Sequence, residues 1–147
     1  MLSVINFINC EIKDFNKFSK LGWNYKNIEN HFKKNNNFSI GYFDRNKIYG
    51  ILIGEKIKQS TKFDLEVHIM FVNKNIRRNN VGSNMLNYVE TNKKFNNISK
   101  IYLEVSEDNT YAIKFYEKNN FVFLNFRHNY YKYNGKIVNA KCYSKII

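Results

Sequence analysis

Residues 66–89 read Glu-Val-His-Ile-Met-Phe-Val-Asn-Lys-Asn-Ile-Arg-Arg-Asn-Asn-Val-Gly-Ser-Asn-Met-Leu-Asn-Tyr-Val. Val67 to Val72 is apolar and rich in β-formers, so it reads as a strand. Val81, Met85 and Val89 recur at spacing four with Leu86 beside them, the periodicity of a helix. Between the two lies a basic loop, Arg77 to Ser83, carrying Gly82. Such a loop presents backbone N–H groups at a helix N-terminus, where they and the helix dipole suit a phosphate. Gly82 allows close backbone approach, and Arg77 and Arg78 add positive charge. An ordinary β–α connection with a solvated basic turn gives the same string. The loop has neither the Gly-Lys-Ser/Thr of a P-loop nor the three glycines of a dinucleotide fingerprint.

Working back from this stretch, Phe38 to Phe43 and Lys47 to Ile57 read as strands around a turn at Asp44-Arg45-Asn46, with a loop at Lys58 to Lys62. Leu2 to Ile8 reads as a first strand. Asp14 to Phe18 and Tyr25 to Phe32 read as short helices around Leu21-Gly22-Trp23. Trp23 suits either a groove wall or the core. Working forward, Lys100 to Val105 alternates as a strand, with Ile101, Leu103 and Val105 on one face and Tyr102 and Glu104 on the other. Ser106 to Asn109 supplies capping residues for a helix over Thr110 to Lys118, and Asn119-Asn120 a left-handed stop. Phe121 to Phe126 and Ile137 to Ile146 read as strands, joined through Arg127-His128-Asn129-Tyr130-Tyr131 and a turn at Asn134-Gly135. The order is an antiparallel meander, then β-α-β, then a helix and a hairpin.

With 147 residues, 44% hydrophobic and 17% aromatic, the chain is expected to form one globular domain over residues 1–147. No apolar run is long enough for a membrane span, and Glu11 and Asp14 interrupt the N-terminus too early for a signal peptide. A cytoplasmic protein is expected, with Cys10 and Cys142 reduced and buried. The histidines His31, His68 and His128 are scattered, so no metal site is expected. The net charge of +12 suits an acidic partner: nucleic acid, ribosome or a polyphosphate cofactor. It equally suits an A/T-rich coding bias, since the chain is crowded with Asn, Lys, Ile, Phe and Tyr, lacks proline, and spreads its lysines.

Three segments carry a family pattern in order. Arg77-Arg78-Asn79-Asn80-Val81-Gly82 fits an Arg/Gln-x-x-Gly-x-Gly/Ala loop, with Asn80 in place of the first glycine. Leu103-Glu104-Val105-Ser106-Glu107-Asp108-Asn109 runs on through Thr110-Tyr111-Ala112-Ile113-Lys114-Phe115-Tyr116-Glu117-Lys118-Asn119-Asn120-Phe121. It fits Leu-Glu-Val…Asn…Ala-Ile…Tyr-Glu-Lys-x-Gly-Phe. Arg127-His128-Asn129-Tyr130-Tyr131 fits Arg-x-x-Tyr-Tyr. With these the chain resembles the GNAT superfamily of N-acetyltransferases, most similarly the RimI-type enzymes that acetylate the N-terminal alanine of a ribosomal protein. Lys74 stands where proline is common in that pattern, and Asn139 where aspartate is. Asparagine tolerates left-handed backbone, so Asn80 and Asn120 can replace glycine.

The resemblance implies a mixed α+β GNAT fold. Its central sheet has about six to seven mostly antiparallel strands, splays at the cofactor cleft, and is flanked by about four helices. It implies acetyl-CoA as cosubstrate, no metal, and direct attack of an amine on the thioester. The amides of Asn79, Asn80, Val81, Gly82 and Ser83 would cradle the pyrophosphate, with Arg77 and Arg78 adding charge. The pantetheine arm would lie along Met70, Phe71 and Val72 like an added strand, and Asn109 would bond it, order a water or cap a helix. Glu104 would be the general base through a water, with His68 in reserve, and Tyr116 the acid that protonates the thiolate. Tyr130 and Tyr131 would flank a peptide N-terminus. The expected partner is a protein N-terminus, with a ribosomal protein favoured, and no direct role with DNA or membrane. A monomer or weak dimer is expected. The rival readings are a small-molecule amine or lysine acetyltransferase, and a GNAT-like module that binds acyl-CoA or nucleic acid without turnover.

Overall fold

The computed structural model describes residues 2–4, 23–44, 47–92, 97–133 and 135–147. The strands are β1 (Leu2–Val4), β2 (Asn37–Asp44), β3 (Lys47–Gln59), β4 (Lys62–Val72), β5 (Ile98–Ser106), β6 (Val122–Tyr133) and β7 (Lys136–Ile146). The α-helices among the described residues are α1 (Tyr25–Phe32), α2 (Val81–Thr91) and α3 (Thr110–Lys118). The strands form one seven-stranded sheet in the order β1-β2-β3-β4-β5-β7-β6. This is the expected mixed α+β fold. The anticipated helix at Asp14 to Phe18, the end of the first strand beyond Val4, the Arg45-Asn46 turn and Cys10 lie outside the described residues.

All neighbouring pairs are antiparallel except β4 and β5. That parallel ladder runs only from Phe63↔Ile98 to Val67↔Leu103. Beyond it, His68 to Val72 and Glu104 to Ser106 diverge, and the sheet opens into a cleft. On its other edge β4 pairs with β3, with a bulge between Ile53↔Ile69 and Gly54↔Val67 that leaves His68 as the extra residue. Gly54 is required there, because a Cβ would stand 2.4 Å from the Glu66 carbonyl oxygen.

The two faces of the sheet carry separate cores. Val81, Met85, Leu86 and Val89 of α2 and Ile113 and Tyr116 of α3 pack on Leu52, Leu65, Ile101 and Leu103. Ile28 of α1 packs on Ile48, Ile51, Ile53 and Ile69 from the opposite face. The alternation in β3 explains the division: Leu52 faces one layer while Ile51 and Ile53 face the other. In β5 Ile101, Leu103 and Val105 are buried and Tyr102 and Glu104 are half-buried, as the alternation predicts.

Two sequence expectations are corrected. Lys58 and Gln59 belong to β3, so the loop shrinks to a turn at Ser60-Thr61. Arg127 to Tyr131 is strand rather than connection. Arg127↔Ala140 and Tyr131↔Val138 pair with three residues of β6 set against one of β7, a wide bulge with Asn129 at φ 56°. The bulge breaks the alternation that a period-two reading needs.

Candidate active site

The opening between β4 and β5 is a cleft of about 1250 Å³. One wall is Val67 to Met70. The other is Glu104 to Ser106 with Asn109, Ala112 and Tyr116, and Tyr130, Tyr131 and Cys142 close it from the β6–β7 side. The structure therefore brings together Met70, Glu104, Asn109, Tyr116, Tyr130 and Tyr131. Trp23 also lines the cleft, at its far end beside His68.

Arg77 to Ser83 lies outside this lining, at the end of β4. Asn73 caps a 3-10 turn at Lys74–Ile76, and the Arg77 Nε donates back to the Val72 carbonyl at 2.9 Å. That bond fastens the loop to the strand and commits part of the guanidinium to structure. Arg78 and Asn80 both adopt left-handed backbone, at φ 65° and 57°. Asn80 is the N-cap of α2 without a side-chain capping bond, so its side chain leaves the first N–H groups of the helix uncapped. Val81 turns its side chain into the core and offers only its amide. A Cβ on Gly82 would stand 2.9 Å from the Phe115 ring of α3. This glycine therefore admits the close approach of α3.

At the centre of the cleft Glu104 is held from two sides. Arg127 Nη1 donates to its Oε1 at 2.7 Å, and the Tyr131 hydroxyl donates to its carbonyl oxygen at 3.4 Å. The Arg127 guanidinium also stacks 4.3 Å from the centre of the Tyr130 ring, which meets Tyr131 edge-on at 5.0 Å. Burial pushes the Tyr131 phenol up to about 12, helped by the negative charge of Glu104. Burial, then a hydrogen bond to Glu104, raises Tyr130. Burial also drives Tyr116 upward, so this cleft-lining phenol stays protonated at neutral pH. The Asn109 side chain accepts from the Ala112 N–H at 3.2 Å. Of the open roles for Asn109, capping α3 is the one its oxygen fills.

The geometry has a counterpart in known proteins. The family model described as Acetyltransferase (GNAT) family matches residues 6–121. The chain belongs to the GNAT acetyltransferase family. No curated protein matches this acetyltransferase in sequence. Its fold is shared with NAA60 of Arabidopsis thaliana in complex with a bisubstrate analogue (TM-score 0.81, 14% identity, 99% of this chain and 97% of that one). It is shared with the ribosomal-protein-S18-alanine N-acetyltransferase of Escherichia coli (0.76, 17%, 100% and 94%). An aminoglycoside 6'-N-acetyltransferase complexed with coenzyme A is equally similar (0.77, 16%, 99% and 96%). At these identities the likeness concerns the fold.

In this acetyltransferase some residues of the cleft have no local sequence signal. Arg127 was legible only as part of a motif, since its grip on Glu104 depends on the β5–β7–β6 register. Asn139 is the pivot of the bulge. Its Oδ1 accepts from the Asn129 N–H at 3.0 Å, and its N–H and Nδ2 donate to the two carboxylate oxygens of Glu107 at 3.1 and 3.2 Å. Cys142, expected to be buried, is half-buried and lines the cleft opposite Glu104. Burial and the Glu104 charge raise its thiol, which keeps it a poor nucleophile. The expectation of scattered histidines is corrected for two of the three. The β4 bulge brings His68 to a ring separation of 5.6 Å from His31. His128 stacks on Phe126 instead.

Proposed function

We propose that this protein transfers the acetyl group of acetyl-CoA to the α-amine of a protein N-terminus, with the alanine of a ribosomal protein as the favoured target. The reading rests on one observation above the others: Glu104 stands where the sheet splays, flanked by Arg127 and the Tyr130–Tyr131 pair. A carboxylate beside two phenols suits an extended peptide whose backbone needs hydrogen bonds. The α-amine has an unperturbed pKa near ~8 against ~10.4 for lysine, so a carboxylate acting through a water has less to do there.

Acetyl-CoA supplies an activated acyl group as a thioester. The Asn79 to Ser83 amides and the charges of Arg77 and Arg78 hold its pyrophosphate, and the Met70 to Val72 strand edge aligns its arm. An N–H at Met70 or Phe71 polarises the carbonyl. Glu104 takes the amine proton through water as the nitrogen attacks. Tyr116 returns a proton to the departing sulfur. No metal is required for this sequence of steps, and a cytoplasmic location would suit both substrates.

The test is acetyl-CoA consumption with peptides beginning Ala, Ser, Met and Gly, against a lysine peptide with a blocked N-terminus. Selective turnover of free α-amines is expected. Equal turnover of free and blocked peptides overturns the reading. A second reading, a small cationic amine or lysine acceptor, is favoured by the carboxylates of Glu66, Glu104 and Asp108 along the cleft. A polyamine or aminoglycoside that outcompetes every peptide would establish it.

A further inference from the structure

At the far end of the cleft three side chains converge from three elements: His31 of α1, Glu55 of β3 and His68 from the bulge of β4. His31 is only 2% exposed, and its Nε2 lies 3.0 Å from the Gly54 carbonyl oxygen. A carbonyl only accepts, so Nε2 carries the hydrogen and the neutral ring keeps its lone pair on Nδ1. That Nδ1 is buried without a hydrogen-bond partner, yet it stands 3.3 Å from Glu55 Oε1. Two lone pairs facing each other at this distance repel unless a cation stands between them. His68 Nε2 lies 3.7 Å from the same Glu55 oxygen, and the three ligand atoms are all within 4.8 Å of one another.

We propose that His31 Nδ1, Glu55 Oε1 and His68 Nε2 form a site for a divalent transition ion of the zinc class. Zinc bonds of about 2.0–2.2 Å in a tetrahedron set ligand atoms roughly 3.3–3.5 Å apart. The separation of His31 from Glu55 already fits, and a small rotation of His68, which reaches solvent, closes the others. Two imidazoles and one carboxylate select zinc, cobalt or nickel over magnesium or calcium. The Gly54 carbonyl orients His31 from behind, as a metal-bound histidine requires. Asn36 Nδ2 holds the other Glu55 oxygen at 3.3 Å, leaving Oε1 for the ion. The Lys34 ammonium also sits on Oε1, but it is half-exposed and can leave. Trp23 packs 5.5 Å from the His31 ring and 5.8 Å from the His68 ring and roofs the site. With the ion bound, α1 is pinned to β3 and β4 independently of Glu104 and Tyr116.

The experiment uses the full chain freed of metal with EDTA and titrated with Co²⁺ under visible absorption, then with Zn²⁺ as competitor. Thermal melting is followed in parallel. One equivalent of Co²⁺ with tetrahedral d–d bands, displaced by Zn²⁺, and a rise in Tm with Zn²⁺ are expected. His68→Gln and Glu55→Gln should each weaken binding by more than about tenfold, while Lys34→Ala should keep or tighten it. The metal-free melting of each variant controls for folding. Absence of the bands and of any Tm rise overturns the site, as does binding that survives both His68→Gln and Glu55→Gln.

Discussion

The roles given to Glu104 and Arg127 make different demands on kinetics. Removing the carboxylate charge in Glu104→Gln should lower kcat by about 100-fold or more, the scale of a lost general base, with little change in KM for acetyl-CoA. An unchanged kcat would remove Glu104 from the chemistry. Arg127→Ala should instead act mainly on the acceptor KM, because the guanidinium positions Glu104 and Tyr130 rather than exchanging a proton. The phenols give a spectroscopic check. Tyr143 is buried, and its hydroxyl donates to Glu117 at 3.0 Å; burial, then that carboxylate, pushes it up to about 12. Burial, then the charge of Glu104, likewise pushes Tyr131 up to about 12. The folded pKa of both exceeds the unfolded value near ~10, so the folded state holds extra protons between these limits. Their contribution to stability is present below about pH 10 and lost as pH rises toward 12. An alkaline titration of tyrosinate absorbance should show these phenols, like Tyr116, ionising late, together with a falling Tm. Residue identity marks which groups can do chemistry. It could not tell that Arg127 grips Glu104 or that Tyr131 bonds its carbonyl, since both depend on cross-strand register.

Elements whose local chemistry is self-sufficient were legible. The α2 periodicity and the α3 cap at Asn109 lie within a few residues of each other, and both helices stand where the spacing places them. Left-handed Asn80 and Asn120 were legible because asparagine tolerates that region; Arg78 was not, because nothing in an arginine announces a positive φ. The bulge in β6 was illegible, since it is fixed by Asn139 on the next strand. Asn139→Asp tests that link. A carboxylate there loses the Nδ2 donor and sets a like charge against Glu107. The acceptor KM should rise well before the acetyl-CoA KM changes, and steady-state kinetics on both substrates would show it. At the packing of α2 on α3, Gly82→Ala forces a methyl against the Phe115 ring. The expected loss is about 1–3 kcal/mol by urea denaturation, largely recovered in a double variant with Phe115→Leu. A loss unchanged by the second substitution would place the strain elsewhere.

For the whole molecule, the mixed α+β class and the succession of meander, β-α-β unit and final hairpin were legible from the order of elements, whereas the insertion of β7 between β5 and β6 and the division into two cores depend on long-range pairing that no local pattern carries. No helix among the described residues is long and apolar enough to cross a membrane. The net charge of +12 had two readings in the sequence, and they differ in what salt should do. If the charge attracts a polyphosphate cosubstrate, the KM for acetyl-CoA should rise severalfold as ionic strength is raised from about 0.05 M to 0.5 M, where the Debye length falls below about 5 Å. A flat dependence would leave the charge to coding bias.

The short ladder between β4 and β5 has a consequence for abundance. The pairing stops at Val67↔Leu103, although both strands run on for several residues. A sheet left open there is completed only when something lies in the gap. With acetyl-CoA as that occupant, a free concentration 100 times its Kd adds about 2.7 kcal/mol to the folded state. That increment is large beside the roughly 5–15 kcal/mol that holds a typical domain folded. The cell's acetyl-CoA pool would then set how much of the enzyme survives as well as how fast it works, and starvation for acetyl units would thin the population through proteolysis before it slowed a single turnover.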